Sequence, residues 1–138
     1  MSAKQIGLGL GFFSIALGAL EVAAPGRLSR WLGVAGSKAA RNTIFAFGLR
    51  ELLAGGMLLR GPAVSTNVWN RVIGDAMDAG ALGLVLAKSN RKAAAAGALA
   101  FVGGAMAADW LTARALDQET GRTFPRSERH PELAPSVA

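Results

Sequence analysis

The sequence has no cysteine, no tyrosine and a single histidine, and it is poor in charge. Without cysteine there are no disulfides, no thiolate chemistry and no Cys-ligated metal. The histidine, His130, lies in a Pro-containing C-terminal stretch where a solvated side chain is expected rather than a ligand. Charged residues make up 17% of the chain, against about a quarter in soluble domains. Hydrophobic residues make up 51% and the mean hydropathy is positive. The missing charge is missing from four long apolar runs, the pattern of an integral membrane protein. The formal charge of +6 sits in short segments beside those runs. It points to topology and anionic lipid rather than to nucleic acid.

The four runs predict membrane spans over about 5–24, 43–59, 69–87 and 93–113, a transmembrane domain covering 1–113. The expected fold is all-α: an integral membrane four-helix antiparallel bundle. The first run could pass for a signal peptide, but Glu21 and Pro25-Gly26 make a poor cleavage context and three more apolar runs follow. An uncleaved helix is expected. Within it Gly7, Gly11, Ser14 and Gly18 recur at helical spacing, a face that lets another helix come close. Glu21 extends that stripe.

Residues 26–42 carry Arg27, Arg30, Lys38 and Arg41, with Leu28, Trp31 and Leu32 at i, i+3 and i+4. They read as a short amphipathic segment in the interface with Trp31 at headgroup depth. The alternative is a loop whose Trp plugs the end of the bundle. Residues 60–67 read as a turn, 88–92 as a tight basic loop, and Trp69 and Trp110 as interface anchors. From residue 114 to 138 charges of both signs mix and three of the five prolines gather. A frayed helix to about Thr120 and then a disordered tail are expected.

The third run, Trp69 to Leu86, organises the rest. Arg71, Asp75 and Asp78 fall on one helical face, at roughly 0°, 40° and 340°. Ala76, Gly80, Gly83 and Ala87 form a stripe almost opposite, a predicted close-packing face toward span one or a second copy. The second run carries Arg50 and Glu51 at its middle, and the fourth carries Asp109 toward its end. At about 1.5 Å of rise per residue, Arg50, Glu51, Arg71, Asp75, Asp78 and Asp109 reach similar depth and form a predicted polar core. Glu21 is expected to stand apart near the opposite surface, with Arg27 or Arg30, as a second polar site.

Four acids against two cations in a low dielectric are costly. A proton on one acid, a bound cation or a water is expected to relieve them. Two readings of this core stand side by side: a network that fixes helix register, or a relay or small polar cavity. Asp75 and Asp78 with Glu51 and Asp109 could offer ligands to a divalent ion, but the two arginines oppose it. No metal site and no bound cofactor are predicted. There is no HExxH motif and no nucleophile beside a base. The glycines at 7, 9 and 11 lie inside an apolar span, so they are not a dinucleotide loop.

Three stretches, Leu17–Pro25, Gly48-Leu49-Arg50-Glu51-Leu52 and Arg71–Asp78, resemble small bacterial four-helix membrane proteins of unknown function related to the DoxX-like group. The resemblance covers about residues 5–113. It implies a four-helix bundle with the acidic and basic residues at its polar centre. Some such modules are joined to a cyclase/dehydrase domain of the START-like type, and DoxX-like relatives are linked to membrane oxidoreductase systems and quinones. A quinone is the cofactor this would imply. The chain lacks the cysteines and intramembrane histidines expected of a redox site of its own.

The function expected is that of a non-enzymatic membrane subunit or scaffold. A small proton- or ion-coupled transporter, or the membrane subunit of a quinone- or lipid-linked oxidoreductase, is the alternative. Expected partners are the lipid bilayer, a membrane or peripheral protein, and a second copy. Four spans put the 25–42 segment and the 88–92 loop on one side, called Y here. The N-terminus, the 60–67 turn and the C-terminus lie on side X. Basic residues concentrate on side Y, which the positive-inside rule places in the cytoplasm of a multi-pass inner (plasma) membrane protein.

Overall fold

Every described residue belongs to a helix or a short connection. The computed structural model describes residues 2–60 and 64–120, apart from the side chains at 3, 4, 64 and 120. The predicted tail beyond 120, with His130, lies outside them. Five helices follow one another: α1 (Ala3–Ala23), α2 (Pro25–Trp31), α3 (Lys38–Arg60), α4 (Val64–Lys88) and α5 (Lys92–Thr120). No strand occurs among the described residues.

Local chemistry sets the ends. Ser2 and Gln5 form a capping box at the start of α1, satisfying two of its orphan N–H groups. Pro25 opens α2 at a position where its missing N–H costs nothing. The Ser37 hydroxyl accepts from the Ala40 N–H at 3.0 Å and starts α3 before the predicted Thr43. Of the turn expected over 60–67, residues 61–63 lie outside the described residues, and α4 already begins at Val64. The Asn67 side-chain amide donates to the Met57 carbonyl at 3.0 Å, satisfying one of the open carbonyls in the last turn of α3. The basic loop is as predicted, reduced to residues 89–91 between α4 and α5. Helix α5 runs through the expected domain boundary at 113 to Thr120.

Two antiparallel pairs make up the fold. In the first, α1 and α3 touch backbone to backbone. A Cβ on Gly18 would lie 2.6 Å from the Gly48 carbonyl oxygen, and one on Gly55 would lie 2.7 Å from that of Gly11. The glycine face of α1 therefore packs closely, as its spacing implied. In the second pair, α4 and α5 are joined by polar side chains rather than by glycine. The Ala76-Gly80-Gly83-Ala87 stripe does not pack on α1: it is exposed, and nothing lies within 4 Å of a Cβ at Gly80 or Gly83. The α1 face that would have met it is taken by α3.

The pairs join on side X through Leu58, Val68, Ala113 and Leu116, with Leu10 and Trp69 against them. On side Y a latch closes the end. The Ser89 hydroxyl donates to the Leu32 carbonyl at 2.6 Å. Gly33, at φ +75°, lies so close to Ser89, Asn90 and Arg91 that a side chain would collide with them.

The distribution of side chains is inverted relative to a water-soluble domain. Buried polar and charged residues outnumber buried apolar ones among the described residues. Large apolar side chains face outward on every long helix, as in Phe12 (66% exposed), Leu53 (70%), Ile73 (62%) and Phe101 (53%). Two stretches, Gln5–Ala23 and Lys92–Glu119, are long and apolar enough to cross a membrane. Helices α3 and α4, of 23 and 25 residues, are as long but carry charges at mid-length.

Candidate functional site

The charges of α3 and α4 are turned inward, and Arg71 is their hub. Its Nε donates to Asp109 Oδ2 at 2.8 Å, and its Nη1 donates to Glu51 Oε2 at 2.9 Å. The same Nη1 reaches the Ser14 hydroxyl. That hydroxyl lies 2.9 Å from the Glu51 carbonyl oxygen and also bonds the Glu51 carboxylate. Residues from α1, α3 and α5 thus converge on one guanidinium of α4. The Arg71, Glu51 and Asp109 side chains are almost completely shut off from the surface.

Glu51 links this hub to a second guanidinium. Arg50 Nη2 donates to Glu51 Oε1 at 2.6 Å and to Asp78 Oδ2 at 2.7 Å. Arg50 also lies over the Phe47 ring, 5.8 Å from its centroid. It reaches α4 by lying across Gly74, where a Cβ would fall 1.3 Å from Nη1. Five of the six predicted core residues therefore form one chain: Asp78, Arg50, Glu51, Arg71, Asp109. The sixth, Asp75, is buried beside Asp109, and its Oδ2 has no hydrogen-bond donor.

Glu21 does not stand apart with Arg27 or Arg30, both of which are exposed. Its Cβ packs against Gly48, and its carboxyl lines the same cavity as Asp78. The reason is the close crossing of α1 and α3, which turns the stripe through Gly18 and Glu21 inward. Among the tryptophans, Trp31 and Trp110 are exposed, and Arg114 lies over the Trp110 ring at 5.1 Å. Trp69 is partly buried. Its indole N–H donates to Asp117 Oδ2 at 2.7 Å, and Ser65 bonds the other oxygen of that carboxylate.

Sequence reasoning assigned no polar role to Ser14, Gly74 or Asp117. Ser14 was visible as the one hydroxyl in a glycine stripe, and a buried hydroxyl needs a partner. Asp117 resembles tail sequence and carried no such signal.

Glu51, Asp75 and Asp78 offer carboxylate oxygens within 4.8 Å of one another. Both Glu51 oxygens already accept from guanidinium groups, and so does Asp78 Oδ2. The free oxygens fall short of the six to eight that a calcium ion takes. Of the six predicted core residues, Asp75 alone makes no bond to the network's guanidinium groups. Set against family models, curated proteins and solved structures, the chain matches none of them.

Proposed function

We propose that the chain is a four-span protein of the inner membrane, of the DoxX-like kind, serving as a non-enzymatic subunit held in register by its charge network. The observation that carries this is the inverted distribution of side chains on all four long helices. In water, exposed Leu53, Ile73, Met77 and Leu84 on two charge-bearing helices would be a large apolar liability. In lipid they are the expected outer surface, and buried charges are tolerated because they pair inside. The lengths agree: α3 and α4 at about 1.5 Å per residue exceed the ~30 Å hydrocarbon thickness. Side Y, with Arg27, Arg30 and the 89–91 loop, faces the cytoplasm.

The structural reading is supported by the pairing of both guanidinium groups with carboxylates, Arg50 with Glu51 and Asp78 and Arg71 with Glu51 and Asp109, and by the Ser14 hydroxyl on Arg71. One observation favours the second reading, a cation- or proton-coupled carrier: Asp75 is buried without a guanidinium partner. Proteoliposomes separate the two. The subunit reading expects no flux driven by a pH gradient, with or without Asp75→Asn. A flux lost in Asp75→Asn while the protein still melts cooperatively would establish the carrier instead.

A further inference from the structure

The two helix pairs meet on side X and through the charge network and are latched on side Y, but between the network and the latch they part. The gap is a cavity of about 1200 Å3, larger than the ~300–1,000 Å3 typical of small-molecule sites. Leu17, Phe47, Val85 and Phe101 are among its walls. Such apolar walls hold water poorly. At its inner end stand two carboxylates, Glu21 and Asp78. Asp78 is 8% exposed. Its Oδ2 is held by Arg50, and its Oδ1 is buried with no donor, as is Glu21 Oε2.

Buried acceptors without a donor are costly. An occupant suited to the chamber presents an apolar body to its walls and an N–H or O–H group to the end lined by Glu21 and Asp78. Across the whole interior five carboxylates face two guanidinium groups, so a positively charged donor complements the site better than a neutral one. Leu84 and Phe101 line the chamber and are each more than half exposed, so it opens sideways toward the outer surface. Arg30, Lys88 and Arg91 at the side Y end disfavour cations arriving from water. The route in is therefore the bilayer.

We infer that the chamber binds a lipophilic amine, its apolar body among Leu17, Phe47, Val85 and Phe101 and its ammonium between Glu21 and Asp78. This rests on the four-span reading, because only then does the lateral opening face lipid.

The test uses purified protein in nanodiscs with dodecylamine as probe, dodecanol and dodecanoate as chain-matched controls, and empty nanodiscs as blank. Dodecylamine is expected to bind saturably above the blank, and dodecanoate is not. Glu21→Gln and Asp78→Asn should each weaken binding about tenfold or more, the loss of a charge-assisted hydrogen bond. Ala98→Phe, which fills the chamber and leaves both carboxylates, should abolish it. Cooperative melting of each variant shows that the fold is intact. The inference is overturned if the three probes bind alike, if dodecylamine shows no saturable binding, or if neither Ala98→Phe nor the carboxylate variants change it. Failure of the four-span reading shows separately, as water-accessible labelling of α3 and α4 in membranes.

Discussion

Arg71 on α4 and Asp109 on α5 are joined by a single 2.8 Å bond from Nε to Oδ2, with 1% and 0% of their side chains exposed. Neither group can recover its partner from solvent. Asp109→Ala should therefore lower stability in detergent by roughly 1.5–3 kcal/mol, the value of a hydrogen bond between charged groups, since Arg71 Nε loses its acceptor while Nη1 keeps Glu51. Arg71→Lys should be nearly as damaging, because one ammonium cannot reproduce the Nε and Nη1 directions used toward Asp109 and Glu51. Thermal melting of both variants checks this. A change within 1 kcal/mol for Asp109→Ala would show the pair to be dispensable.

Gly74 makes room for the Arg50 guanidinium. Gly74→Ala places a methyl group where Nη1 lies, so the bonds to Glu51 and Asp78 must break or stretch. The expected loss is about 1.5–3 kcal/mol, the value of hydrogen bonds to charged groups. Gly56→Ala is the control, since nothing lies within 4 Å of a Cβ there. Chemical denaturation of the two variants side by side distinguishes the local effect from a general cost of alanine.

The α1–α3 crossing makes the opposite demand on the two kinds of glycine. Gly18→Val should separate the pair and cost about 1–3 kcal/mol or more, as overpacking does. Gly80→Ala and Gly83→Ala should each gain up to ~1 kcal/mol in an isolated chain through helix propensity alone. Melting temperatures measured together with the oligomeric state report both. A loss at Gly80 or Gly83 accompanied by dissociation would place a second copy on that stripe.

Asp117 fixes the side X end by accepting from Trp69 and Ser65. Asp117→Ala leaves a half-buried indole N–H and a buried hydroxyl without that acceptor, at a cost of about 1–3 kcal/mol. Trp69 emission should shift as its hydrogen bond is lost, and an unchanged spectrum would show that the bond contributes nothing.

The legible parts of this molecule were those written at helical spacing. Gly11, Ser14 and Gly18 announced a close-packing face. The i, i+4 and i+7 placement of Arg71, Asp75 and Asp78 announced a charged face that needed partners at the depth of Arg50, Glu51 and Asp109. Those six do meet. What periodicity does not encode is the identity of the partner helix. The stripes through Gly18 and through Gly80 look alike in sequence, yet one meets the α3 backbone and the other faces outward. Glu21 was placed by depth alone, which missed that the α1–α3 crossing carries it into the chamber shared with Asp78. The chamber itself has no sequence signal, because it arises from how two helix pairs diverge.

In a four-span bundle α3 and α4 lie in the membrane despite their charges. The chain has no cysteine, so single cysteines at Leu53, Ile73 and Asn90 can be read without background using a membrane-impermeant maleimide. Leu53→Cys and Ile73→Cys should stay unlabelled in intact cells and in inverted vesicles, while Asn90→Cys should label in inverted vesicles only. Labelling at Leu53 and Ile73 as rapid as at Asn90 would contradict the four-span bundle.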